Sequence, residues 1–428
     1  MPSRRNKCLL AKVNFPLYTL QMLTSRHILV GGGGGSSKTG VANGFEIFEL
    51  SHNGSQFIVE EVTRHETGPN VVMNCSASTD GKRTWIAAGQ ESHCQLYNVN
   101  TKVVSIENGE IIKPPATNNK DGLRHKKTSE KTDEVQRDRV EEVKDSNCNF
   151  RSKKLQLIVK PADSVQTDFG EGEPLQRIVR ISPNGKIMAT GGTDGCIRLW
   201  KFPQLQMLHD IKAHTKEIDD IDFSPDSSLL ATIAKDGKAY LWNVSDGAKN
   251  KEFLWQPPNG AKYMFKRCRF RKLSDDNRKS QLFVLSNAER KHPSFLQLWD
   301  TETGSIVKSV AYKETLSALA VSDDGKFVAV GTMFSGTVNI LIAFSLRKAL
   351  HVPGAHSMFV TGLEFLPTKL DGPAITSNTE AAVVSVSADN KICIHSIPFR
   401  HTLPFWFVII LIIFSICGAF ILCSFLGI

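Results

Sequence analysis

Paired cysteine motifs are missing from this sequence. Nine cysteines occur among 428 residues, none of them in a C-x-x-C arrangement. Cys393-x-His395 and His93-Cys94 are too close and too isolated to make a tetrahedral zinc set. Free thiols in a reducing compartment are the reading that remains. No hydrophobic stretch follows the basic opening Met1-Pro2-Ser3-Arg4-Arg5-Asn6-Lys7, so no signal peptide is expected and residues 1–400 are expected to stay cytosolic. Motifs for covalent chemistry are absent too: there is no G-x-S-x-G elbow, H-E-x-x-H helix or kinase signature. Nor is there a zinc finger, an aromatic RNP strip or an uninterrupted basic helix, which disfavours nucleic acid despite a net charge of +9. Anionic headgroups or an acidic partner account for that charge more simply.

Charge is missing from one further stretch. Leu403–Leu426 carries no charged residue over 24 positions. At about 1.5 Å per residue it reaches roughly 36 Å, enough to cross a hydrocarbon core of about 30 Å with some tilt. Phe405-Trp406-Phe407 stands where an interfacial aromatic anchor belongs, and Arg400 and His401 lie just before it. Residues 403–426 therefore read as a single-pass tail anchor, with Gly427 and Ile428 at its lumenal end. Neither Ser-Lys-Leu nor Lys-Asp-Glu-Leu terminates the chain, so these rules choose no organelle.

Glycine, in contrast, is concentrated at Gly31–Gly40: five in a row, then Ser-Ser-Lys-Thr and a sixth. A phosphate-binding loop needs a glycine before its lysine and a helix after it, so that backbone N–H groups converge on the phosphates. Here Ser37 precedes Lys38, and Phe45-Glu46-Ile47-Phe48-Glu49-Leu50 alternates apolar and acidic like a strand. The element is strand, glycine-rich loop, strand. No nucleotide is expected on this chain. A backbone-rich hairpin loop presented to another molecule fits the pattern better.

A repeat runs through the rest. Ser182–Trp200 (SPNGKIMATGGTDGCIRLW) recurs about 40 residues on, as Ser224–Thr232 (SPDSSLLAT) and Lys235–Trp242 (KDGKAYLW). Each copy is a turn, an apolar strand, an Asp-Gly hairpin and an alternating strand ending in Trp. These are the marks of WD-type propeller blades. Weaker copies include Thr79–Tyr97, Gln297–Asp300, Asp323–Val330 and Val383–His395. The expected fold is all-β, a seven-bladed propeller followed by a transmembrane helix, with Cys8–Asn14 adding the closing strand to the last blade. Trp200, Trp242 and Trp299 read as blade core, and His214 and His356 as structural hydrogen-bonding residues. Only residues 112–154 break the repeat. With Pro114-Pro115, charges of both signs and almost no aromatics, they are expected to form a disordered insertion within the second blade or between blades two and three.

A first-blade loop reading Gly-Gly-Gly-Gly-x-x-Lys-Thr-Gly-x-x-Asn-Gly, combined with a C-terminal anchor, resembles the prolactin regulatory element-binding family of WD-repeat proteins. The fungal counterpart of that family is the endoplasmic-reticulum exchange factor for the Sar-type small GTPase that starts COPII coat assembly. Matching residues are Gly32–Gly35, Lys38-Thr39-Gly40, Asn43-Gly44, Ala355-His356-Ser357 and Val384–Ala388; Gly31 and the charged insertion depart from the pattern. The resemblance implies an endoplasmic-reticulum membrane protein with its propeller in the cytosol, acting on a Sar-type GTPase. Membrane lipids and COPII coat or scaffold proteins are further implied partners. It also implies that Gly33, Gly34, Gly35, Ser36, Ser37, Lys38, Thr39, Gly40, Val41, Asn43 and Pro69 meet the GTPase. A potassium ion would sit on backbone oxygens of Gly34, Gly35, Gly40 and Asn43. Taken alone, Asn43-Gly44 reads as a plain turn and Pro69 as a proline opening a strand. The implied mechanism needs no acid, base or nucleophile. A membrane-tethered scaffold without exchange activity, or a DNA-binding regulator, are the competing readings.

Overall fold

Short apolar runs bounded by turn residues pair with their sequence neighbours throughout the chain. The computed structural model describes residues 8–35, 40–81, 83–107, 110–111, 152–257, 260–273, 276–289, 292–368, 375, 379–399 and 405–427. Seven antiparallel sheets follow one another. Blade one spans 17–66, blade two 74–166, blade three 176–212, blade four 218–252, blade five 263–312, blade six 316–352 and blade seven 360–398. Leu9–Lys12 supplies the fourth strand of blade seven, with Leu9 opposite Cys393 and Lys12 opposite Lys391. The architecture is thus a seven-bladed WD-repeat propeller closed by its N-terminal strand. One helix, Phe405–Leu426, is long and apolar enough to cross a membrane.

The repeat has a chemical cause. In blade three the Ser182 hydroxyl donates to Asn184 (2.8 Å) and accepts from Ile187 N–H (3.0 Å). Blade four repeats this with Ser224, Asp226 and Leu229, and blade six with Ser322, Asp324 and Phe327. A side chain that satisfies the turn's own backbone fixes where each strand begins. A second device locks the middle of blade four. His214 bridges Asp236 (3.1 Å) and Thr232 (3.0 Å), and Trp242 Nε1 donates to the same Thr232 hydroxyl at 2.9 Å. Blade seven uses His356, Asp389 and Ser385 in the same way, but His395 occupies the tryptophan position. These histidines are buried and hydrogen-bonded, as a structural role requires. Trp200, Trp242 and Trp299 are buried at 2 %, 6 % and 1 % exposure, so all three are core.

Inner strands line a central channel of about 310 Å³. Asp220 lies in it almost fully buried, accepting hydrogen bonds from Arg269 Nη1 and from Cys268 N–H. Burial alone would raise its carboxyl, but Arg269 and Arg180 hold it below the usual range. The network ties blade three to blades four and five by charge-assisted bonds.

The charged insertion falls inside blade two, one of its two expected positions, between the strands His93–Glu107 and Ser152–Gln166. Its end and the place of Pro69 differ from expectation. Residues 112–151 lie outside the described residues, while 152–154 belong to the second of those strands. Pro69 does not open the inner strand of blade two, which begins at Asn74; it sits in the connection before it.

Candidate functional site

In blades three and four the second and third strands are joined by a tight Asp-Gly turn at Gly195 and Gly237, both with positive φ. In blade one the same hairpin joins His27–Gly32 to Gly44–His52, and residues 33–43 replace the tight turn. The ladder still runs through Gly31 and Gly32, opposite Phe45 and Gly44, and beyond Gly32 the chain leaves the sheet as a loop.

Asn43 holds the loop. It is 5 % exposed, and its Oδ1 accepts from Gly35 N–H at 2.9 Å while its Nδ2 donates to the Gly35 carbonyl at 3.1 Å. The same Nδ2 reaches the carbonyls of Gly68 and Pro69, each at 3.0 Å. Its own carbonyl accepts from Thr67 N–H at 3.0 Å. One amide thereby clamps the loop to the connection between blades one and two. Gly33 has φ +145°, and a Cβ there would stand 2.1 Å from Asn43 Oδ1. A Cβ on Gly32 would stand 1.9 Å from the Pro16 carbonyl oxygen. The first glycines of the run are therefore needed for close approach, which no other residue type permits.

Of the residues expected to meet a partner, the structure brings Gly33, Gly34, Gly35, Gly40, Val41, Asn43 and Pro69 to one end of the propeller. Gly40 is exposed, and Val41 is half-buried against the core that includes Val13, Phe15 and Leu17. Ser36, Ser37, Lys38 and Thr39 lie outside the described residues. Two residues into the strand beyond the loop, Glu46 is 1 % exposed and meets Arg64 at 2.6 Å. Burial pushes its carboxyl up and Arg64 opposes the shift. Met73, Phe334 and Met358, which the sequence reading missed, are exposed apolar side chains in loops at the same end. Periodicity marks strand faces, so it carries no signal for a single exposed loop residue.

The proposed potassium set gives a mixed picture. The Gly35 carbonyl accepts from Asn43 Nδ2 and the Asn43 carbonyl from Thr67 N–H, so N–H donors already engage two of the four oxygens. Among the described residues no group of three or more His, Cys, Asp or Glu could hold a metal ion. Each of those carbonyl oxygens keeps a second lone pair, residues 36–39 lie outside the described residues, and no step below runs through the ion.

Comparison with known proteins adds to this geometry. The family model of the WD domain, G-beta repeat, matches residues 175–201 and 205–243. The chain is 31 % identical to the guanine nucleotide-exchange factor SEC12 of Mus musculus over 416 residues, 95 % of each chain. The protein of the same name from Rattus norvegicus is 31 % identical over 417 residues, again 95 % of each. SEC12-like protein 1 of Arabidopsis thaliana is 32 % identical over 203 residues, covering 46 % of this chain and 47 % of its own.

Proposed function

This chain belongs to the SEC12 family of guanine nucleotide-exchange factors, and from that premise we propose that it promotes GDP release from a Sar-type small GTPase at the endoplasmic reticulum. The anchored propeller faces the cytosol, and the activated GTPase starts COPII coat assembly for transport to the Golgi. The observation that carries this reading is the Asn43 clamp, which ties Gly35, at the glycine-rich start of the hairpin loop, to the connection carrying Gly68 and Pro69. Ends held in that way lower the ordering cost of meeting a partner.

The work is done by binding. A surface that prefers the nucleotide-free GTPase must weaken nucleotide affinity by the same factor, because the coupling is reciprocal. Each preference of about 1.4 kcal/mol weakens nucleotide binding about tenfold. Backbone groups of the loop supply contacts that do not depend on a titrating side chain. Cellular GTP then refills the site and releases the complex, and the membrane helix confines the cycle to one surface.

The test is the affinity of the full chain in detergent for the GTPase with GDP, with GTP and without nucleotide. The proposal expects binding to the empty GTPase tighter by at least about a hundredfold, roughly 2.7 kcal/mol. Equal affinity for all three states would describe a tethered scaffold instead.

A further inference from the structure

The path of the chain fixes which end of the propeller lies near the anchor. In blade seven the strand Lys391–Pro398 begins at the turn containing Asn390, whose carbonyl accepts from Val13 N–H. A few residues on, the Pro16 carbonyl accepts from Gly33 N–H. The glycine loop therefore shares an end with that turn, and Pro398 lies at the opposite end. Only residues 399–404 separate Pro398 from the helix starting at Phe405. Fully extended, they reach at most about 22 Å. The end opposite the glycine loop is thus the one that a membrane-spanning helix keeps beside the bilayer.

The side chains at that end suit the position. The blade-six loop around Phe344 and the turn ending at Lys326 meet there, with Ala343 N–H donating to the Lys326 carbonyl. Phe344 is 65 % exposed. Arg347, Lys348 and Lys326 beside it are exposed, as is Arg26 in the corresponding turn of blade one. Nearby acids are already engaged: Asp324 meets Lys326 at 3.1 Å, and Asp323 accepts from Thr368. The acidic turns with Asp246 and Glu302 belong to blades four and five, away from the point of exit.

We propose that this end of the propeller docks on an anionic lipid surface, with Phe344 at headgroup level and Arg26, Arg347 and Lys348 facing lipid phosphates. The proposal rests on the tail-anchor reading above. An exposed aromatic ring beside exposed cations is the chemistry of a bilayer interface, where the ring enters the apolar boundary and the cations stay with the headgroups. The glycine loop is left on the far side, open to a partner arriving from solution.

The full chain is reconstituted into phosphatidylcholine vesicles with or without phosphatidylinositol, carrying a benzophenone amino acid at position 344 or at position 42 in the glycine loop. Illumination should give lipid adducts at 344 at least about fivefold above those at 42, in anionic vesicles only. The adduct at 344 should fall several-fold in about 0.5 M salt and in the Arg26→Glu, Arg347→Glu double variant. That variant should keep the parent's resistance to alkaline extraction. Adducts at 344 no more frequent than at 42, or indifferent to headgroup charge, in a chain that resists extraction, would overturn the docking alone. A chain that alkali extracts would overturn the anchor reading, and the docking with it.

Discussion

The Asn43 amide oxygen accepts from Gly35 N–H, and its two N–H donors are shared among the carbonyls of Gly35, Gly68 and Pro69. With neutral hydrogen bonds contributing about 1 kcal/mol each, removing the amide costs roughly 2–4 kcal/mol, all of it local to the loop. Asn43→Ala should therefore speed amide hydrogen exchange at Gly35 by at least about tenfold while leaving the melting transition of the propeller nearly in place. Gly33→Ala should do the same, because its Cβ would displace Asn43 Oδ1. Gly54→Ala is the control: its φ is +93° but nothing lies within 4 Å of its Cβ, so it strains a turn and leaves the loop alone. Residue type alone marked Asn43-Gly44 as a plain turn, and only the family resemblance placed Asn43 in the site. Its partners at Gly68 and Pro69 were illegible, since a backbone carbonyl that accepts a distant amide leaves no mark on its own side chain.

Elements were legible where side chains serve their own turns. Blades three and four announce themselves because a serine fixes the first turn, an Asp-Gly the second, and a tryptophan ends the third strand. Blade five reads weakly because Gln297 takes over the hydroxyl's task, accepting from Ser286 at 2.8 Å and from Trp299 Nε1 at 3.3 Å. Blade one was legible as strand, glycine-rich loop, strand, although it lacks the Asp-Gly turn of blades three and four. The shared hydroxyl in blade four predicts a measurable cost: Thr232→Val strands His214 Nε2 and Trp242 Nε1 in the core, worth about 2–4 kcal/mol. Denaturant unfolding would show it as a lower midpoint at unchanged slope. Blade seven carries a pH dependence. Burial, with His356 adding to it, lowers His395 to about 3, and its Nδ1 has no partner. Its folded value lies below the ordinary 6.5, so its contribution to stability is full above that pH and is lost as pH falls through the window towards about 3. His395→Trp, which restores the residue used in blades three to five, should lessen the loss of stability between pH 6.5 and 4, measured by thermal melts across that range.

At the scale of the whole molecule, closure is the feature on which the other parts depend. The seven sheets contact their neighbours in turn, and Leu9–Lys12 is the strand that joins the two ends of the chain. Deleting residues 1–12 would expose the edge of Lys391–Pro398 and leave blade seven one strand short. The variant should melt lower and associate through that edge, seen as concentration-dependent light scattering. The sequence order of the blades and the apolar C-terminal helix were both readable beforehand, since local pairing and continuous hydrophobicity need no distant partner. Which end of the propeller the helix adjoins was not readable, because it follows from strand direction in the finished ring. The most direct measurement is the rate of GDP release from a purified Sar-type GTPase with the full chain and with its Asn43→Ala, Pro69→Ala variant. The account predicts release accelerated many-fold by the parent and slowed by at least about tenfold in the variant, a loss of about 1.4 kcal/mol in the coupling. A variant as fast as its parent would contradict the assignment of the blade-one loop, and a parent that leaves the spontaneous rate unchanged would contradict the exchange activity itself.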